Sequence, residues 1–159
     1  MGQVVKLNRL IRIREKARKA RKRIVFTNGC FDILHRGHID FLKKAKRLGD
    51  ILIVGLNTDS SVKKIKGKQR PIISQNDRAE ILANLLPVDY VCLFHEETPR
   101  RLISALMPDV LVKGRDYKKR GIVGKDIVEL SGGKVVRIKL VQGKSTKHII
   151  NTVLNRYKR

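Results

Sequence analysis

From Arg23 onward the apolar positions change period again and again. Ile24 to Asn28 is a nearly continuous apolar run, Gly37 to Leu48 carries Ile39, Leu42 and Ala45 at helical spacing, and Ile51 to Asn57 is continuous once more. The alternation continues with a helix near Gln75 to Leu86, a strand from Val88 to Phe94, a helix from Thr98 to Leu106 and a strand from Val110 to Lys113. A helix near Gly124 to Leu130, a strand from Lys134 to Lys139 and a last helix from Ser145 to Tyr157 complete it. Strands apolar at successive positions are buried on both faces, so five of them separated by helices predict an α/β domain: an open parallel five-stranded sheet with helices on both sides. Over residues 1–23, Val4, Leu7, Leu10, Ile11 and Ile13 recur at roughly helical spacing among ten basic residues and one acid, Glu15. The expected division is a basic amphipathic helix over residues 1–22 and one domain over 23–159.

A chain of 159 residues suits a single domain, and 42% hydrophobic content supports a core. Charge changes the picture more: Lys+Arg 37 against Asp+Glu 14 gives +23, which calls for an anionic partner or a heat-adapted surface. A heat-adapted surface would raise Glu together with Lys, and only five Glu occur. Cys30 and Cys92 form no C-x-x-C pattern and fall in apolar surroundings, as buried thiols of a reducing compartment do. There is no secretory h-region and no run of about 18 apolar residues. A cytoplasmic protein without membrane association is expected.

In open parallel sheets ligands bind beyond the carboxyl ends of the strands, and the residues there are rich in phosphate chemistry. After the first strand, His35-Arg36-Gly37-His38 opens a helix. Gly37 admits a ligand close to the backbone, the helix start offers free N–H groups, and the imidazoles can stabilise oxygens that gain charge in phosphoryl transfer. A metal reading fails for want of the H-E-x-x-H carboxylate and a third ligand. A basic loop, Lys63 to Pro71, follows the second strand; it suits a polyphosphate or is a solvated charge run. Gly143-Lys144-Ser145-Thr146 resembles the end of a P-loop, but Ile138 stands where Walker A needs glycine, leaving a helix cap or an anion site.

The string from Gly29 to His38, with Lys64 to Pro71 and the terminal Gly-Lys-Ser-Thr, resembles the cytidylyltransferase-like nucleotidyltransferases, whose hallmark is G-x-F-D…H-x-G-H. Within them, Phe26 to Asp32, Asn57-Thr58-Asp59, Pro108 to Tyr117 and Gly143 to Thr146 look most like the adenylyltransferase domain of ADP-heptose synthase. The resemblance implies the Rossmann-like HxGH fold and a reaction of ATP, with Mg²⁺, and D-glycero-β-D-manno-heptose 1-phosphate to give ADP-heptose and pyrophosphate, a lipopolysaccharide inner-core precursor step. It implies His35, His38 and Lys66 as catalytic; Cys30, Phe31, Gly37, Gly114, Asp116, Gly143, Ser145 and Thr146 as nucleotide-binding; and Lys64, Arg78 and Arg100 as substrate-binding. No metal-ligating residue is assigned. The family is often fused to a sugar kinase; none is present in this sequence, so a free-standing enzyme with a separate upstream kinase is expected, and family analogy makes a homodimer plausible.

Leu140 replaces the arginine usual three residues before Gly143 in cytidylyltransferases for glycerol 3-phosphate, and Lys144 replaces isoleucine. Both weaken the alternative of CTP with glycerol 3-phosphate or another small phosphate. A nucleic-acid-binding module is the reading from a second class, resting on +23 and the basic first helix; it predicts steep salt dependence and indifference to His38. The short apolar stripe of that helix favours docking on the domain over a free arm. Nonspecific polyanion binding is expected to coexist with catalysis.

Overall fold

The computed structural model describes residues 1–115 and 121–158. Its six strands are β1 (Gln3–Val4), β2 (Ile24–Gly29), β3 (Ile51–Asn57), β4 (Tyr90–Phe94), β5 (Val110–Gly114) and β6 (Lys134–Ile138). All pair in parallel, in the order β1-β4-β3-β2-β5-β6. The helices are α1 (Leu7–Lys19), α2 (Arg36–Lys46), α3 (Asp59–Lys66), α4 (Gln75–Ala83), α5 (Arg100–Leu106), α6 (Lys125–Leu130) and α7 (Thr146–Tyr157).

The expected five strands are joined by β1, whose two residues were too few to register as a strand pattern. It adds to the sheet edge at β4, with Gln3 opposite Tyr90 and Val4 opposite Val91. Alternate strand residues face opposite sides, and each side has its own core. Val25, Leu52, Val54, Leu56, Val91, Val110 and Val112 meet Phe41, Leu42 and Ala45 of α2 and Ala79, Leu82 and Ala83 of α4. On the other side, Ile24, Phe26, Ile53, Cys92, Phe94 and Leu111 meet Leu10 and Ala17 of α1, Leu102, Ile103 and Leu106 of α5, and Val128 of α6. The first helix is therefore docked, its apolar stripe part of a core.

Connectivity places the functional end. The chain runs outward from β2 through β3 to β4, then returns to lay β5 on the other flank of β2. Such a reversal opens a crevice at the carboxyl ends of the strands on either side of it, here after Gly29 of β2 and Gly114 of β5. Thr27 Oγ1 donates to the Val112 carbonyl at 3.0 Å, fastening the two strands just below that mouth.

Candidate active site

At this crevice lie two adjoining lobes of about 350 and 650 Å³, which share Asn28, Gly29, Cys30, Phe31, His38 and Lys66. Phe41, Leu140 and Val141 give the smaller lobe an apolar wall. Arg70, Lys113 and Lys147 give the larger one positive charge. The N-termini of α2 and α7 both border the cleft, so two sets of unsatisfied N–H groups and two positive dipole ends point toward one space.

His35 is the N-cap of α2, in extended conformation, and His38 lies in its first turn, with its N–H bonded to the His35 carbonyl at 2.9 Å. The rings stack, with centroids 3.8 Å apart and planes 20° off parallel. Both Nδ1 atoms are buried and find no hydrogen-bond partner among the described residues. Buried polar atoms are almost always paired, so two adjacent orphans set this stacked pair apart among the described residues. Burial, and then the neighbouring His35, pushes the His38 imidazole down to about 4. Burial, and then the Lys144 ammonium, lowers His35 as well. Both shifts favour the neutral ring. Gly37 is constrained by the same geometry: a Cβ there would stand 3.0 Å from the His35 ring and 3.3 Å from Lys144 Cβ.

The loop from β2 to α2 is held in place from beneath. Phe31 takes the left-handed conformation at φ 43° although it is bulky, and its buried ring lies 5.2 Å from that of His38. Asp32, 2% exposed, accepts N–H groups from Ile72 at 2.8 Å and Ile73 at 2.9 Å and is paired with Arg70. Burial raises its pKa, but the N–H groups of Ile73 and Ile72 and the Arg70 guanidinium outweigh it and hold the carboxyl below its usual range. Asp32 thereby pins the basic loop after α3 to the imidazole-bearing loop. Burial pushes the Cys30 thiol up despite Lys66, Arg78 and Arg70 nearby, so Cys30 offers the cleft a backbone and not a thiolate.

Of the residues singled out in the sequence, the fold brings His35, His38, Lys66, Cys30, Phe31, Gly37, Gly114, Ser145 and Thr146 around the two lobes. Ser145 caps α7 by accepting the His148 N–H at 3.1 Å, and Thr146 Oγ1 donates to the Ile33 carbonyl at 3.4 Å, so the last helix is tied to the histidine loop. Gly143, at φ 69°, turns the chain into α7 without lining either lobe. Lys64 points outward from α3. Asp116 lies outside the described residues.

One expectation needs correction. Arg78 cannot touch a substrate: 1% exposed, it donates to the carbonyls of Ile73, Cys30 and Asn57 and to Asp59, at 2.5–3.0 Å. It is an internal brace between the carboxyl ends of β2 and β3. Arg100 is solvent-exposed and bound to Asp126 at 3.1 and 2.6 Å, next in the chain to Pro99 of the larger lobe's lining. Lys113 was passed over as a site residue; it is buried at the end of β5, borders the larger lobe and bonds to Asn28. The only sign in the sequence is a lysine inside an otherwise apolar strand, Val-Leu-Val-Lys-Gly.

Among the described residues no three His, Cys, Asp or Glu side chains converge on a point, and the Asp32 carboxylate is already saturated.

The family model described as cytidylyltransferase-like matches residues 26–152. The chain belongs to the cytidylyltransferase-like family. It is 56% identical over 136 residues to the bifunctional protein HldE of Trichlorobacter lovleyi, covering 86% of this chain and 28% of that protein. The bifunctional protein HldE of Syntrophotalea carbinolica is 54% identical over 143 residues, 90% of this chain and 29% of that one. This chain thus spans less than a third of the length of the curated relatives it matches. Among solved structures, the lipopolysaccharide core biosynthesis protein from Thermoplasma volcanium superposes with a TM-score of 0.65 at 34% identity, over 76% of this chain and 99% of that one. A pantoate-beta-alanine ligase from Francisella tularensis reaches the same TM-score at 17% identity, covering 98% of this chain and 78% of that one, which shows a shared fold.

Proposed function

We propose that this chain is an adenylyltransferase that transfers AMP from ATP to D-glycero-β-D-manno-heptose 1-phosphate, giving ADP-heptose and pyrophosphate. The observation that carries the reaction type is the stacked His35–His38 pair with unpartnered buried nitrogens between two helix N-termini. The heptose acceptor rests on the likeness to proteins called bifunctional protein HldE and to a lipopolysaccharide core biosynthesis protein. Leu140 and Lys144, both at the cleft, depart from the cytidylyltransferase pattern and favour ATP over CTP.

In this reading a phosphate oxygen of the sugar attacks the α-phosphorus in line, the new P–O bond forms as the α–β bridge breaks, and pyrophosphate leaves with the displaced electron pair. No bond to the protein is made. The imidazoles donate to non-bridging oxygens as charge builds, and a triphosphate beside them favours their protonated forms. Backbone N–H groups at Cys30 and Phe31 and at the start of α7 receive phosphate oxygens. The Ser145 hydroxyl accepts its cap bond and keeps its proton to donate. Lys66, on a flexible stem at the end of α3, follows the charge. Mg²⁺ would enter on the triphosphate and supply charge neutralisation there. A sugar kinase supplying the heptose 1-phosphate, a homodimer and a cytoplasmic setting belong to the same reading; among the described residues no helix is long and apolar enough to cross a membrane.

The test is pyrophosphate release with Mg²⁺, crossing ATP and CTP against heptose 1-phosphate and glycerol 3-phosphate. Release with ATP and heptose 1-phosphate alone, abolished in His38→Ala, is expected. Release with CTP and glycerol 3-phosphate would reassign the substrates, and no release with any pair would return attention to the binding-module reading.

A further inference from the structure

A second cavity, of about 420 Å³, opens at the other end of the sheet, where α1 ends and β2, β5 and β6 begin. Six basic side chains line it: Arg14, Arg18, Arg21, Lys22, Arg23 and Lys134. Asp109 is the one carboxylate in the lining, and both its oxygens are hydrogen-bonded. It takes Arg14 at 3.1 and 3.4 Å and the Ile24 N–H at 2.7 Å. Arg14 in turn spends its Nε on the Leu106 and Met107 carbonyls. Asp50, the next carboxylate, accepts the Arg23 backbone N–H at 2.7 Å. The other five cations have no salt bridge among the described residues. A helix C-terminus favours Arg18, but that does not account for Arg21 to Arg23 or for Lys134, which arrives from another strand.

Arg21 makes the point independently. It sits at φ 53°, in a helix-ending turn closed by the Lys22 N–H on the Ala17 carbonyl at 2.8 Å. Glycine is the usual residue in that position because a Cβ there is strained. Glycine would close the same turn at less cost but leave the cavity one guanidinium poorer, and strain retained at one residue points to a role for its side chain.

We propose that this cavity is a second anion site, taking a compact ligand with several linked phosphates and reading the phosphates alone. Guanidinium forks match phosphate oxygens in geometry and charge. No aromatic side chain lines the cavity, so a base finds nothing to stack on. Lys134 of β6 faces the cations of α1 and the turn after it across one open depression, which fits a short oligophosphate. The site stands about 20 Å from the catalytic cleft, the length of the six residues of β2. Both can be filled at once, and the inference does not depend on the reaction proposed above.

The test is a titration of the full, ¹⁵N-labelled chain with inorganic tripolyphosphate at roughly 0.15 M salt, read by amide chemical shifts. Saturable shifts are expected at Arg23, Gly132 and Lys134, in a set separate from those at Gly29, Gly37 and Gly114. In the double variant Arg18→Gln, Arg21→Gly the first set should weaken by about tenfold or more while the second persists. Because glycine suits position 21, that variant is expected to fold. Absence of the first set, or shifts there that sodium chloride reproduces at equal ionic strength, would overturn the proposal. So would an oligonucleotide of equal phosphate number saturating the same amides about tenfold more tightly, which would make the cavity part of a nucleic-acid surface.

Discussion

With His35 on one side and Lys144 on the other, a Cβ at Gly37 would be crowded. Gly37→Ala is therefore expected to push the His35 ring aside by a few tenths of an ångström and lower turnover, by up to the roughly hundredfold of a misplacement near 1 Å. Alanine also favours helix, by up to about 1 kcal/mol, so the melting temperature should hold or rise. A parallel fall in both would show that the glycine serves folding and not the site. His38 yields a pH prediction. In the folded protein burial and His35 put it at about 4, whereas an unfolded histidine titrates near ~6.5. Between those values the unfolded chain holds more protons, so stability falls as pH drops through the window, and His38→Ala should flatten the slope of melting temperature on pH. Triphosphate reverses the sign: it favours the imidazolium, so affinity should rise below neutrality, with the difference between wild type and His38→Ala removing the ligand's own titration. The pair of histidines was readable from spacing alone. Their stacking, and the two orphaned nitrogens, depend on how the loop is buried.

At the level of elements, the strands were read most accurately where apolar runs are uninterrupted. β3 occupies Ile51–Asn57, as its pattern predicts, and β2 and β5 each extend one residue further, to Gly29 and Gly114. α4 ends at Ala83 and not at Leu86, because Asn84 caps it and Leu86 points into solvent at 97% exposure. Arg78 and Arg100 show what sequence cannot supply. The resemblance gives both the same role, but one is sealed between loops and the other lies on the surface. Arg78→Ala is expected to destabilise by about 3 kcal/mol or more, since three carbonyls and a carboxylate lose their donor together. Arg78→Lys should recover little, as one ammonium cannot span that set. Chemical denaturation measures both; a loss confined to substrate affinity would instead restore Arg78 to the binding site. Arg100→Ala, at an exposed pair, should change neither melting temperature nor turnover. The Asp32 clamp on Ile72 and Ile73 was likewise invisible, because it joins segments 40 residues apart through loop shape.

For the whole molecule, the sequence announced +23 without saying where the charge lies. In the fold part of it gathers at both ends of the sheet, around the catalytic cleft and around the cavity beneath α1. Surface attraction to long polyanions decays over a Debye length of about 8 Å at physiological salt. Retention on a polyanion column is therefore expected to vanish at moderate salt, while pyrophosphate release from small nucleotides survives. Loss of both together would mean that one surface serves both.

The central position of β2 also governs how the protein comes into being. Its partner β3 follows closely, but Val110 of β5, which pairs with Val25, is made 85 residues later. While the ribosome is still synthesising the middle of the chain, one flank of the innermost strand is an open edge, and such edges recruit the wrong neighbours. A nascent chain halted before Val110 would carry both imidazoles and yet be unable to grip a nucleotide. Its need of a chaperone should end when β5 closes that flank.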